Sequence, residues 1–472
     1  MPSADRRTTF WVALLAWVGC TADSYELAAR FGDDVALRAG TYEVELGSPE
    51  MLGFLVRRAA TVGGPVHRAR SVGSLLATRA AEVRTSMVAH CQVTGQLAAR
   101  LGFDPAVREC LTQTFARWDG RGEPAGLAGE DIALPVRVVH VADLAEVHHR
   151  IGGVDGAVAE LLRRRGASLD PDVVDALIDH AEPLLDGLPD ESSWAELIAA
   201  DPAPRPLRNA ELDRALEAIA DFVDLKSPWF TGRSREIADL AAAAATKLGL
   251  PEADVQTVRR AGLLQGLGRT GVPNTIWDKP GPLTELERER MQLHAYYTSR
   301  VLRRMPALAD VAEVASMVQE RLDGSGYHRG ISGSAIPMTA RVLAAADCYH
   351  ALTRPRPHRP ARSAAQAALD LRAEAAAGRL APDAVEAVLV SAGHRARRAS
   401  VSPAGLTPRE IEVLSLVAQA ATSRQVAQQL GISPKTVGNH IERIYQKIGV
   451  STRAGAALFA MEHGLVVRSP AP

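Results

Sequence analysis

Glu320-Arg-Leu-Asp-Gly-Ser-Gly-Tyr327 has an earlier counterpart in this chain, Ala116-Arg-Trp-Asp-Gly-Arg-Gly122, at an offset of 204 residues. The same offset takes His90 to His294, Gly126 to Gly330, Gly129 to Gly333, Ile132 to Ile336, Arg137 to Arg341 and Asp143 to Asp347, with no gap over the stretch. Self-similarity at a fixed spacing is the sequence signature of a duplicated unit. Each D-G-x-G stretch must be a turn, because glycine reaches positive φ at little cost. Further along, Pro171-Asp172 matches Pro382-Asp383 at an offset of 211, so the second copy holds seven additional residues. Arg354-Pro-Arg-Pro-His-Arg-Pro360 is the insertion, and its prolines forbid a regular helix there.

Outward from this repeat, the chain divides into a first copy at 1–200, a proline-rich and extended linker at Asp201–Pro206, a second copy at 207–393, a second linker at His394–Gly405, and a C-terminal module at 405–472. A length of 472 residues fits about three domains. Aromatic residues make up only 4% of the chain and alanine is abundant, which favours helices over sheets. The second copy is expected to contain helices at Glu211–Leu225, Ser234–Leu248, Ala253–Gly266, Glu285–Arg304 and Ala364–Ala377. In the first of these, Leu212, Leu216, Ile219 and Val223 recur at helical spacing. The fold expected is all-α. Arg6-Arg7 ahead of the apolar run Phe10–Cys20 looks like a short signal peptide. Trp17 and the absence of a small-residue cleavage site point instead to a buried first helix, and the run is too short to span a bilayer, so no membrane association is expected. The cysteines Cys20, Cys91, Cys110 and Cys348 form no C-x-x-C pair, which fits neither a zinc ribbon nor a disulfide framework and suits a reduced, cytoplasmic setting.

The net charge of -1 excludes a protein that coats nucleic acid along its whole surface. From Leu406 to Arg468, however, seven Lys and Arg stand against four acids. Thr407-Pro408-Arg409-Glu410 is a capping box with proline at the first helical position. Ile411, Val413, Leu414 and Val417 then mark a buried face. A second helix is expected at Ser423–Leu430, followed by the turn Gly431-Ile-Ser433. The next helix opens with Ser433-Pro434 and buries Val437, Ile441, Ile444 and Ile448. Its outward face carries Lys435, Thr436, Asn439, His440, Arg443 and Lys447, which are the donors a major groove needs: cations for phosphates, and asparagine or lysine for base edges. A fourth helix at about Thr452–His463 covers the back. This run, with Ser433-Pro-Lys-Thr-Val437, Asn439-His440 and Lys447-Ile-Gly-Val450, resembles the LuxR-type (GerE-type) helix-turn-helix. The resemblance implies double-stranded DNA as partner, a homodimer, and entry of the Ser433 helix into the major groove. Ala420 replaces a usual glycine. Gly438 stands where a lysine is common, which costs helix stability.

In the second copy, Leu263–Pro273, Lys279–Thr284, His294, Glu320–Tyr327, Ile336-Pro337 and Arg341–Asp347 together resemble the HD-GYP branch of the HD metal-dependent phosphohydrolases. The resemblance reaches the first copy through the repeat. It implies two tandem HD-type helical domains ahead of a four-helix DNA-binding domain. It also implies a chemistry in which His and Asp side chains hold two or more metals that activate water against a phosphodiester. Carried over position by position, the defining His-Asp pair falls on Gln265 and Gly266, the following lysine on Arg269, a further ligand histidine near Arg233, and the adjacent histidine pair on Val318 and Gln319. Of the ligand positions only His294 and Asp347 match, and His328 replaces a proline. No catalytic residue, metal or other cofactor is therefore expected, and the body is read as a sensor or an oligomerisation unit. Two rivals remain. One is a phosphohydrolase of the cyclic dinucleotide phosphodiesterase type coupled to DNA binding. The other is a switch whose old substrate pocket holds a nucleotide or other small-molecule effector, with Arg233 and Arg269 forming an anion pocket. His350 and His358 near Asp347, and His140, His148 and His149 in the first copy, are the histidines left for any other metal site. Asp119 with Arg137, and Asp323 with Arg341, are expected to form charge-assisted bonds that hold the D-G-x-G loops.

Overall fold

The computed structural model describes the chain except residues 46–47, 60–63, 78–80, 189–193, 396–402, 420, 451, 464 and 466–472. Ala420 and most of the second linker lie outside the described residues. The architecture is all-α, with helices joined by turns and short 3-10 segments and no strand among the described residues. No helix there is long and apolar enough to cross a membrane. The chain forms two compact units, Met1–Arg395 and Ala396–Pro472.

The expected helices of the second copy are present within a residue or two, at Asn209–Asp224, Arg233–Lys247, Glu252–Leu264, Glu285–Leu302 and Ala364–Ala376. The Asn209 helix buries Leu216 and Val223 and packs Leu212 and Ile219 against the same core, as the spacing requires. Thr284 and Glu287 close a reciprocal capping box at the start of the Glu285 helix. The alanine-rich composition becomes intelligible where the Arg233 and Glu252 helices meet. Ala238, Ala241, Ala244 and Ala245 are wholly buried, and a Cβ on Gly262 would come within 2.6 Å of the Ala238 Cα. Small side chains let these backbones approach, and most of the core of this half is aliphatic.

The N-terminal half starts with the helix Ser3–Leu15, which buries Val12, so the apolar run serves as a packed element. The linker at 201–206 contains no helix, yet no break in packing accompanies it. Asp34 from the N-terminal half pairs with Lys226, and both are buried, while Asp34 also accepts the Asn274 backbone N–H at 2.8 Å.

The two D-G-x-G loops share several backbone hydrogen bonds. Gly129 N donates to Trp118 O and Gly333 N to Leu322 O, each at 2.9 Å. Gly120 and Gly324 each close a turn onto the arginine three residues before them. Trp118 N bonds Ser168 O as Leu322 N bonds Arg379 O. A side chain on Gly122 or Gly326 would strike backbone at 2.4 Å. The expected charge pairs across these loops are not made. Asp323 folds back onto its own turn, accepting from Ser325 N and Oγ, while Arg341 donates to the carbonyls of Ile336 and Gly333. Asp119 is gripped by Arg117, and Arg137 reaches Asp170 at 2.7 Å. An aspartate at the head of so tight a turn lies closer to the turn's own N–H groups than to the helix that follows.

Candidate functional site

In Met1–Arg395, the side chains that would form a metal centre converge on a cavity of about 270 Å³ walled by Phe230, Arg233, Arg269, Trp277, His294, Tyr327, Asp347 and Arg356, among others. The Arg233, Glu285 and Met338 helices bring Arg233, His294 and Asp347 there, and the 3-10 segment Leu267–Gly271 brings Arg269.

Arg233, near which the resemblance implies a ligand histidine, pairs through its guanidinium with Asp347 Oδ1. Its other terminal nitrogen meets His350 Nδ1 at 3.3 Å. Gln319 Nε2 donates to the remaining Asp347 oxygen at 3.2 Å. Burial pushes the Asp347 carboxyl up, but Arg233 and Arg269 outweigh it and hold the group at about 2. Gly266 leaves room that Arg269 fills, since a Cβ there would sit 3.3 Å from the Arg269 Nη1. Arg269 Nη2 donates to Gln265 Oε1, and the ring of Phe230 lies beneath the Arg269 guanidinium at 5.0 Å. Burial, with Arg233 nearby, lowers Arg269 to about 10.

His294 Nδ1 contacts Met291 O at 2.6 Å, and a carbonyl only accepts, so Nδ1 carries the proton. Burial and then Arg269 bring the His294 imidazole down to about 3, which keeps it neutral and leaves Nε2 a bare acceptor. That Nε2, Arg233 Nε and Arg269 Nη1 are all buried without a hydrogen-bond partner among the described residues.

These residues do not fit a two-metal centre. The two surviving ligand types are joined to cations or crowded by them, Val318 is in the apolar core, and no three His, Cys, Asp or Glu side chains among the described residues converge as a cage. His350 is engaged by Arg233 and, at 2.9 Å, by Glu236. His140 in the N-terminal half contacts Thr114 O. The sequence reading took the Arg354–Pro360 segment only as an insertion and so missed Arg356. Three arginines in seven residues were the available signal.

In the C-terminal unit, the helices run Pro408–Ala418, Ser423–Leu430, Pro434–Ile448 and Arg453–Glu462 around a core that includes Val413, Leu414, Val426, Val437 and Ile444. Thr407 and Glu410 form the expected capping box, and Ser433 caps the Pro434 helix by accepting from Thr436 N. Gly431, at φ 66, makes the turn between the second and third helices. A second capping box, Thr422 with Gln425, was not anticipated.

The outward face of the Pro434 helix separates into free and engaged groups. Lys435, Asn439 and Arg443 are exposed, with no side-chain partner among the described residues, and His440 lies beside them, half-buried. Thr436 Oγ1 contacts Ser433 Oγ at 2.8 Å. Lys447 is tied inward, to Glu410 at 2.7 Å and to Gly405 O. Arg409 and Arg453 likewise cap helix ends, on Leu430 O and on Val417 and Ala421 O. The basic excess of this module is thus partly structural.

Family comparison agrees with both geometries. Residues 217–383 match the HD domain and residues 404–460 match the bacterial regulatory proteins of the luxR family. The chain thus contains a segment of the HD-domain type and a LuxR-type regulatory module. Among relatives, the 3'3'-cGAMP-specific phosphodiesterase 3 of Vibrio cholerae is 29% identical over 358 residues, covering 75% of this chain and 78% of that protein. A cyclic di-GMP phosphodiesterase of Thermotoga maritima is 32% identical over 182 residues, 38% of this chain and 48% of the relative. The crystal structure of a cyclic GMP-AMP specific phosphodiesterase from V. cholerae superposes with a TM-score of 0.52 at 24% identity, over 83% of this chain and 97% of that one. At that identity the likeness concerns the fold. The LuxR-type module gives the chain the build of a DNA-binding regulator, and function has to be argued from its sites.

Proposed function

We propose that the protein is a cytoplasmic transcription regulator that binds double-stranded DNA as a homodimer, and that its HD body is a sensor without hydrolytic activity, descended from a tandem duplication that spans 1–200 and 207–393. The observation that carries the DNA assignment is the exposed, internally unpaired set Lys435, Asn439 and Arg443 on the helix that follows the Gly431 turn. Lys435, Thr436 and Arg443 serve phosphates, and Asn439 and His440 serve base edges. Lys447, held by Glu410, acts on the module's own stability before it acts on DNA. A dimer of this kind sets its two recognition helices ~34 Å apart, on successive major grooves.

The relatives whose names record cyclic dinucleotide cleavage favour the alternative, a phosphodiesterase joined to a DNA-binding module. The donor set around Asp347 weighs against it in this chain. Selection of bound sequences from a random duplex pool, followed by anisotropy titrations over a salt series, tests the proposal. Affinity falls steeply with salt. Arg443→Ala weakens binding to all sequences and lowers the salt slope by about one, while Asn439→Ala relaxes sequence preference. Unchanged affinity and salt slope in Arg443→Ala together with unchanged sequence preference in Asn439→Ala, or no duplex binding by the parent chain at low ionic strength, would refute it.

A further inference from the structure

The arginines around Asp347 outnumber the carboxylates that face them. Arg233 is matched by Asp347. Arg269 has only the neutral Gln265 amide as a side-chain hydrogen-bond partner, and Arg356 has no acidic partner among the described residues. Both guanidiniums lie over the ring of Phe230, Arg269 at 5.0 Å and Arg356 at 5.5 Å from its centroid. Lys279, also in the wall, is neutralised by Glu287. Asp224, the other buried acid of this region, is already bonded by Ser234 N and Oγ.

Burying unmatched cations is costly unless an anion completes the set. Burial together with Arg233 and Arg269 brings Arg356 down to about 9, the response of a cation held among cations. Arg356 comes from the seven-residue insertion that the N-terminal half lacks, so the cationic wall is specific to this cavity.

We infer that this cavity is a metal-independent binding site for a compact phosphate-type oxyanion, either orthophosphate or the terminal phosphate of a small phosphomonoester, clasped by Arg269, Arg356 and Arg233. The inference rests on the reading of the HD body as non-hydrolytic, and deepens it by naming the ligand chemistry. Three features select this class. Guanidinium forks match tetrahedral oxyanions bidentately. The cavity, at about 270 Å³, lies at the small end of the ~300–1,000 Å³ typical of sites for drug-sized ligands, a size that suits a compact anion. The neutral His294 presents a bare Nε2 that satisfies itself only with a donor. A phosphate that keeps one proton, as hydrogenphosphate or as a singly protonated phosphomonoester, brings one P–O–H beside its acceptor oxygens, whereas sulfate and the phosphate of a diester bring none.

The test is thermal unfolding and calorimetric titration of the full chain, freed of metal with a chelator, in a phosphate-free buffer. Orthophosphate, a nucleoside monophosphate, sulfate and a cyclic dinucleotide are the probes. Orthophosphate or the monophosphate raises the melting temperature by about 3 °C or more at saturation, sulfate binds at least tenfold more weakly, and the chelator changes nothing. Whichever of the first two binds more tightly identifies the source of the phosphate. Arg356→Ala, on a surface loop where folding is not at stake, weakens that binding at least tenfold. Arg356→Lys keeps the charge but not the fork, and restores only part of it.

Absence of binding by both phosphate probes, equal binding in Arg356→Ala, or dependence on added metal overturns the inference. Metal content and phosphodiester turnover, measured on the same preparation, separate this failure from that of the underlying reading. No phosphate binding with no metal and no turnover sinks the oxyanion site alone. Stoichiometric metal with turnover sinks both.

Discussion

Two cavities of nearly equal size, about 290 and about 270 Å³, occur in the HD body, one walled in part by His90 and Asp143 and the other by His294 and Asp347. These residues correspond at the 204-residue offset, yet the surroundings differ in kind. The first cavity is mainly apolar, with Trp17, Phe31, Tyr42, Phe115 and Met87 in its wall. Its arginines are matched, Arg38 by Asp23, Arg117 by Asp119 and Glu45, and Arg164 by Glu160. In the second cavity only Arg233 is matched. The difference teaches that corresponding positions of one helical frame can be surrounded by opposite chemistry. Apolar side chains line most of one cavity, while arginines in excess of their acids line the other.

The largest effect expected from this contrast is on buried charge. Arg233→Ala leaves Asp347 buried without its cation and costs ~3–5 kcal/mol. Asp143→Asn breaks no ion pair and is close to neutral. Urea denaturation of the two variants checks this, and equal losses would erase the distinction between the cavities.

The shared loops come next. Gly122→Ala and Gly326→Ala each drive a Cβ into backbone and cost ~1–3 kcal/mol. Similar losses support a common frame, and a loss in only one would break it.

Comparable in size is the asymmetry of the loop aspartates. Asp119→Ala removes the bidentate partner of the largely buried Arg117 and costs ~1–3 kcal/mol. Asp323→Ala removes only the bonds of its own exposed turn and leaves the melting midpoint unchanged. A large loss at Asp323 would restore the paired-loop model.

The helix-turn-helix gives the smallest shift. Gly438 has open space around the position a Cβ would take, so Gly438→Ala stabilises the module by ~0.5–1 kcal/mol. Amide exchange along the Pro434 helix reads that gain.

How much of this was legible in the sequence depended on whether the information was local. The all-α class, the helix bounds, the caps at Thr407 and Ser433 and the Gly431 turn all follow from neighbouring residues. Once the motif fixed the register, Gln265, Gly266, Val318 and Gln319 could be set against the family's ligand positions, which remains an expectation. Partner choice was not legible. Nothing in spacing says that Arg341 takes carbonyls where Asp323 was expected, that Lys447 pairs with Glu410, or that Asp34 lies against Lys226 across the linker. Arg356 escaped for the same reason: a proline-rich insertion announces a loop, and only the folded chain shows the loop turning a guanidinium onto Phe230.

The most direct test of the central claim, that guanidiniums stand where metals would, is the metal content of the full chain after incubation with manganese or ferrous iron and removal of excess, read beside cyclic dinucleotide turnover. The account predicts substoichiometric metal and no linear product. Two tightly held ions per chain, with product formed, would contradict it.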